Sequence, residues 1–130
     1  MEILPYYKKA IEKYPRRVDF YDRLAKTLRE IATGNKKLEK ELQKTEGDLL
    51  SASVDWYKKA IQKDSSKKFL YFGLLDTLDV VSGTRPISPM SRNALSVLPA
   101  MTDEEQQLTA PYLQEWMARK KPEIYNTKVR

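Results

Sequence analysis

Cysteine and histidine are both missing from this 130-residue chain. Without cysteine there is no disulfide or thiolate chemistry, although compartment stays unreported by that absence. Without histidine, the commonest general base and the commonest metal ligand are gone together. A nucleophile would have to be Ser or Thr activated by Lys, and no such motif occurs. Glycine is scarce, at four residues, and the chain has no glycine-rich phosphate loop, zinc spacing or dinucleotide fingerprint. No apolar run approaches the ~18 residues of a membrane span. The start, Met1-Glu2-Ile3-Leu4-Pro5, has neither the basic leader nor the long apolar stretch of a secretory signal. These absences point to an intracellular chain, cytoplasmic or nuclear, that is not an enzyme. No catalytic residue, cofactor, metal, membrane partner or small-molecule substrate is expected.

What the chain does have is charge and helix-forming composition. Charged residues make up 32% and hydrophobic residues 41%, the balance of a soluble helical chain. The net charge is +6, and residues 1–70 carry all of the excess. Such a basic half attracts RNA or acidic protein segments. The plainer alternative is a solvated helix surface with interspersed signs. Lys36, Lys37, Lys40 and Lys44, interleaved with Glu39 and Glu41, have that solvated pattern.

Three-four spacing of Leu4, Tyr7, Ala10, Ile11 and Tyr14 predicts a helix over 3–14, with Pro5 in its first turn and Pro15 as its stop. Tyr21, Leu24, Ala25, Leu28, Ile31 and Ala32 predict a second, opening near Arg17 to Asp19. A third is expected over Ser51–Lys63 and a fourth over Phe69–Val81. Tyr21, Leu24, Leu28, Ile31, Asn35, Leu38, Leu42, Thr45, Leu49, Ala52 and Trp56 also keep an unbroken heptad alternation. One long helix over 18–63 therefore competes with a broken one. A break is expected at Gly34-Asn35 or at Glu46-Gly47-Asp48, and the residues do not choose between them. Residues 83–101 read as a Pro-punctuated connector with a short helix possible at Ser91–Val97. Thr102-Asp103-Glu104-Glu105 is a capping box opening a helix to about Lys120, kinked or started at Pro111. An extended tail follows from Pro122. Domain boundaries are set at 1–83 for the helical region and 84–130 for connector, helix and tail.

The strongest signal is a duplication. Tyr7-Lys8-Lys9-Ala10-Ile11 and Lys13 return fifty positions on as Tyr57-Lys58-Lys59-Ala60-Ile61 and Lys63. Tyr21, Leu24, Thr27 and Leu28 return at the same offset as Tyr71, Leu74, Thr77 and Leu78. A fixed offset held across a segment boundary marks a repeated supersecondary unit, and units of this size commonly build binding scaffolds.

Tyr21, Leu24, Ala25 and Leu28 match the Trp-x-x-Leu-Gly-x-x-Tyr spacing of a tetratricopeptide repeat, and Tyr7 to Pro15 resembles that family's closing phrase. The second copy departs from it, with Ser65 in place of proline and Leu75 in place of a small residue. The half-a-tetratricopeptide-like repeats of RNA-processing scaffolds share the same punctuation. The resemblance, over residues 5–81, implies an all-α fold: a short antiparallel, α-solenoid-like helical-repeat array with an extended central hairpin and a C-terminal capping helix. An offset of fifty instead of about thirty-four implies an insertion split between two lengthened arms. The phase of the match implies that the first helix of a repeat is missing. Leu4, Tyr7, Ala10 and Ile11 are then expected to lack one of their packing partners, unless the C-terminal helix, another chain or more of an array covers them.

In this family the first helices of successive repeats line a groove. Carried over, Asp19, Asp22, Arg23, Lys26 and Arg29 would face it from one repeat, and Phe69, Phe72, Gly73, Asp76 and Asp79 from the next. The expected function is a non-catalytic protein–protein scaffold or adaptor, alone or as part of a larger assembly. It would take a peptide or helix in the groove, or associate with itself through the N-terminal helix. The alternative is an RNA- or ribonucleoprotein-associated module. The chaperone-tail clamp of some relatives is not expected, because Asp22 and Gly73 stand where its lysine and asparagine would be. Phe69 and Phe72 have a second reading as residues under the C-terminal helix. Trp56 and Trp116 read as buried anchors. Asp76 and Asp79 read as ordinary exposed acids, and Ser88-Pro89 as too common a dipeptide to identify a phosphorylation site.

Overall fold

In a computed structural model, which describes residues 3–81 and 101–120, the chain is all-helical: among these residues there are six helices and no strand. They are α1 (Ile3–Lys13), α2 (Val18–Gly34), α3 (Lys36–Leu42), α4 (Glu46–Lys63), α5 (Lys68–Val81) and α6 (Asp103–Lys120). Among the described residues, no helix is long and apolar enough to cross a membrane. The connector around Pro86, Pro89 and Pro99, the turn at Ser91–Val97, Ser88-Pro89 and the tail from Pro122 lie outside the described residues.

The competition between one long helix and two is decided by local chemistry. Asn35 is exposed instead of core-facing, and its side chain accepts from the Leu38 amide at 2.9 Å, which ends α2 and starts α3. A second break follows at Gln43, whose φ of 54° closes α3 in the left-handed region. Thr45 and Asp48 then form a reciprocal capping box, each side chain bonding the other's amide at 3.1 Å. Gly47 thus lies inside the first turn of α4, and the helix begins before the expected Ser51. The stretch between α2 and α4 does not simply lengthen two helical arms, because part of it folds separately as α3. Lys36 anchors that helix through ion pairs to Glu39 at 3.2 Å and Glu46 at 3.4 Å.

The helices pack in an order that follows the chain. Tyr21 and Asp22 meet Trp56 and Tyr57, whereas Ala25 meets Ser53. Numbers rise along α2 as they fall along α4, so the two are antiparallel. Tyr57 meets Gly73 and Ser53 meets Thr77, so α5 is antiparallel to α4 in turn. One cluster of buried side chains, including Leu24, Leu28, Leu50, Val54, Leu74 and Leu78, runs through all of these interfaces. Burying each large aliphatic side chain contributes roughly 1.5–3 kcal/mol.

The turns before α2 and α5 are built alike. The Tyr21 hydroxyl donates to the Pro15 carbonyl at 2.9 Å, and the Tyr71 hydroxyl donates to the Ser65 carbonyl at 2.8 Å. Each tyrosine ties its helix to the turn six residues upstream. Proline in one turn and serine in the other serve equally, because the carbonyl is the group used.

Of the residues expected to lack one packing partner, Leu4 and Ile11 are buried as part of the same core. Tyr7 and Ala10 are half-buried. The C-terminal helix packs on α5: Tyr112 stacks on Tyr71 with centroids 4.3 Å apart, and Trp116 is buried, its indole N–H donating to Asp76 at 2.8 Å. Thr102 and Glu105 make the expected capping box, at 3.0 and 3.2 Å. Pro111 does not start the helix but lies within it.

Candidate partner-binding surface

The residues expected to line a groove separate into three groups. Arg23, Lys26 and Phe69 are exposed, Phe69 at 42%. Asp19 is half-exposed and held by Arg17, with a shortest contact of 2.8 Å. That hydrogen bond and the guanidinium charge keep the Asp19 carboxyl below its usual range. An exposed pair of this kind contributes little to stability.

The second group turns inward. Asp22 accepts from the Tyr57 hydroxyl at 2.8 Å. Arg29 reaches from α2 to α5, donating to Thr77 Oγ1 at 3.0 Å and to the Gly73 carbonyl at 3.3 Å. Thr77 also donates to the Gly73 carbonyl at 3.0 Å, and Ser53 donates to the Ala25 carbonyl at 2.7 Å. These bonds join α2, α4 and α5 through polar atoms where buried groups must be paired. The Tyr57 hydroxyl sits at the centre, within the fields of Asp22, Arg29 and Asp76. Burial first, and the Asp22 charge second, push its phenol far above the ordinary tyrosine value.

Gly73 makes this arrangement possible. A Cβ built there would lie 2.5 Å from both Cε1 and the hydroxyl oxygen of Tyr57. The ring therefore occupies the space a side chain would need, and only glycine allows the approach. A glycine inside an apolar helix is the sequence signal for such a contact. Its partner, fifty residues from the matching Tyr7, is not visible in any local pattern.

The third group lies under α6. Phe72 has Tyr112 edge-on at 6.2 Å and the Arg119 guanidinium over its ring at 4.7 Å. Asp76 carries the Trp116 indole, and Asp79 is half-buried. Phe72 and Asp76 are thus engaged within the molecule and do not form an open groove floor. The second reading of Phe72 holds, whereas Phe69 stays exposed. Trp116 is a buried anchor, while Trp56 is half-buried between Tyr21, 5.9 Å away, and the Lys59 ammonium at 4.5 Å.

Sequence reasoning missed the tie between α4 and α6. Lys58 pairs with the buried Glu105 at 3.0 Å and with Glu104 at 3.2 Å. Partial burial pulls its ammonium down, but the two carboxylates outweigh that and raise its pKa. Among the described residues no group of three or more Asp or Glu side chains is placed to hold a metal ion.

No protein-family model matches the chain, and comparisons with curated proteins and with solved structures find no match. The chemistry of the surface therefore rests on its own geometry.

Proposed function

We propose that the chain is a non-catalytic scaffold that binds protein, built as a short array of tetratricopeptide-like helical repeats. In this reading α1–α2 and α4–α5 are two copies of one unit, α2 and α4 form the lengthened central hairpin, and α6 caps the second copy. The observation that carries it is the pair of matched turns, in which tyrosines fifty residues apart bond the carbonyls of equivalent turn residues. Duplicated units that stack on one another make extended surfaces for recognition. The ionisable residues with the most perturbed surroundings are tied up in holding helices together, which favours architecture over chemistry as their role.

The expected binding residues contract to those left facing outward: Arg23, Lys26 and Phe69, with Asp19 beside them. Selection from a random peptide library on the intact chain is expected to enrich ligands whose binding shifts backbone amide resonances at these residues or elsewhere on the helical surface. Titration with unrelated single-stranded RNAs at low salt is expected to show no binding. Failure to enrich any peptide, together with RNA affinity that collapses as salt rises, would overturn the scaffold reading in favour of a nucleic-acid module.

A further inference from the structure

The two copies differ in what covers them. On α4 the stripe at Trp56, Tyr57 and Ala60 lies against α2, where Tyr57 is 1% and Ala60 0% exposed. The matching stripe on α1 is only partly covered among the described residues. Tyr6 is 64% and Tyr14 47% exposed, with Tyr7 and Ala10 half-buried between them. Tyr6 and Ala10 are four apart and share one face of α1, and Tyr14, just past its end, donates its amide to the Ala10 carbonyl and has its ring 6.4 Å from that of Phe20. The other stripe of α1, Leu4 and Ile11, belongs to the buried core and Tyr7 packs against it, so Tyr6 is the tyrosine of α1 that turns away. Exposed clustered tyrosines of this kind are the residues that dominate interfaces.

We infer that this face of α1 docks an acidic, amphipathic α-helix of a partner protein. The shape follows from the second copy: an antiparallel helix, α2, covers the equivalent stripe of α4. The charge follows from the rim. Lys9 and Lys13 lie three and seven positions after Tyr6, on one edge of the face, and both are exposed. Lys13 sits 5.5 Å from the centre of the Tyr14 ring, much as Lys59, the counterpart of Lys9, sits over Trp56. Glu12, three positions after Lys9, is the one carboxylate on α1, set against Lys8, Lys9 and Lys13, so the helix keeps a net positive charge. A second copy docked through the same face would bring the lysines of both chains together, a like-charge contact that opposes self-association. A helix with Glu or Asp flanking a small-residue stripe supplies the missing charges and fits against Ala10.

This inference rests on the scaffold reading but can fail without it. The probe is a labelled, stapled amphipathic peptide with glutamates flanking a Leu/Ala stripe, and a twin with lysine at every glutamate, titrated into the intact chain by fluorescence anisotropy. The acidic peptide is expected to bind and its twin not to. Tyr6→Ala, at a largely exposed position, is expected to weaken binding at least ~tenfold with the circular dichroism unchanged. Lys9→Glu with Lys13→Glu is expected to reverse the preference between the twins. An unchanged preference, or equal binding to Tyr6→Ala, overturns the inference. So does concentration-dependent dimerisation of the free chain that Tyr6→Ala abolishes, since the occupant is then a second copy. Library ligands that map to Arg23, Lys26 and Phe69 while both probes fail would overturn this inference and leave the scaffold reading standing.

Discussion

Gly73→Ala inverts the usual effect of replacing a helical glycine. In an unobstructed helix, alanine for glycine stabilises by roughly 0.5–1 kcal/mol. At position 73 the new Cβ would lie 2.5 Å from Tyr57 Cε1 and Oη, whereas carbon atoms at contact sit about 3.5–4.0 Å apart. The ring must move by about an ångström, yet it is buried on all sides and held by Asp22 at 2.8 Å. Overpacking of this kind costs roughly 1–3 kcal/mol, and losing the hydrogen bond to Asp22 adds ~1–1.5 kcal/mol. Against the gain in helix propensity, the expected net loss is about 1–4 kcal/mol. Urea denaturation followed by circular dichroism measures it as a lower midpoint at unchanged slope. Gly34 and Gly47 are the controls. Nothing lies within 4 Å of the first site, and only Thr45 Oγ1, at 3.8 Å, approaches the second. Alanine at either is expected to be neutral or stabilising. In a Tyr57→Leu background the obstruction is gone, and Gly73→Ala should become stabilising; the change of sign is the coupling between the two positions. If Gly73→Ala alone leaves the protein as stable as its parent, the packing described for Tyr57 is refuted.

Tyr21→Phe and Tyr71→Phe each remove one hydroxyl–carbonyl bond of the same geometry, so each is expected to cost about 1 kcal/mol; a large difference between the two in denaturant melts would contradict the likeness of the turns. Trp116→Ala removes the buried anchor of α6 and is expected to cost ~3–5 kcal/mol, with hydrogen exchange showing α6 amides deprotected before those of α2 and α4; uniform loss of protection would show that α6 is not a separable layer. Burial raises the phenols of Tyr21, Tyr57 and Tyr71 above 10.0. A raised folded-state pKa contributes stability that is complete below the unfolded value and declines as pH climbs above it. Phenolate absorbance should therefore show these three of the eight tyrosines ionising late, Tyr57 only with unfolding, and common titration near pH 10 in an intact fold would refute it. Thr45→Ala is expected to cost ~1 kcal/mol through loss of the α4 cap, and an unchanged melting curve would show that the cap at Thr45 does not hold the helix start.

Helix type and position were legible because they depend on neighbours in the chain. The spacing of Tyr21, Leu24, Leu28 and Ile31 gives α2 its buried stripe, and Thr102 with Glu105 starts α6 by a bond between residues three apart. The break at Gly34-Asn35 was one of the two expected, and what stayed open, the choice between core and cap at Asn35 and the start of α4, was also local but subtler. Asn35 looked like a heptad core position and is a cap, and Thr45-x-x-Asp48 uses an aspartate where a longer acid is the familiar partner. Both cases turn on a side chain's competition for backbone amides, which hydrophobic periodicity does not register.

The amino-acid order by itself determined that this chain is helical, that a tyrosine-led motif recurs after fifty residues, and that no thiol or imidazole chemistry is available to it. Only the tertiary structure decided which of the polar residues stay outside. Arg29 and the Gly73 carbonyl are 44 positions apart, and Trp116 and Asp76 are 40 apart. Whether such groups meet each other or water is settled by how helices stack, since an unpaired buried polar group costs more than any local preference supplies. The same stacking buries Tyr57 and leaves its counterpart Tyr7 only half-buried, although the two copies begin from nearly the same residues.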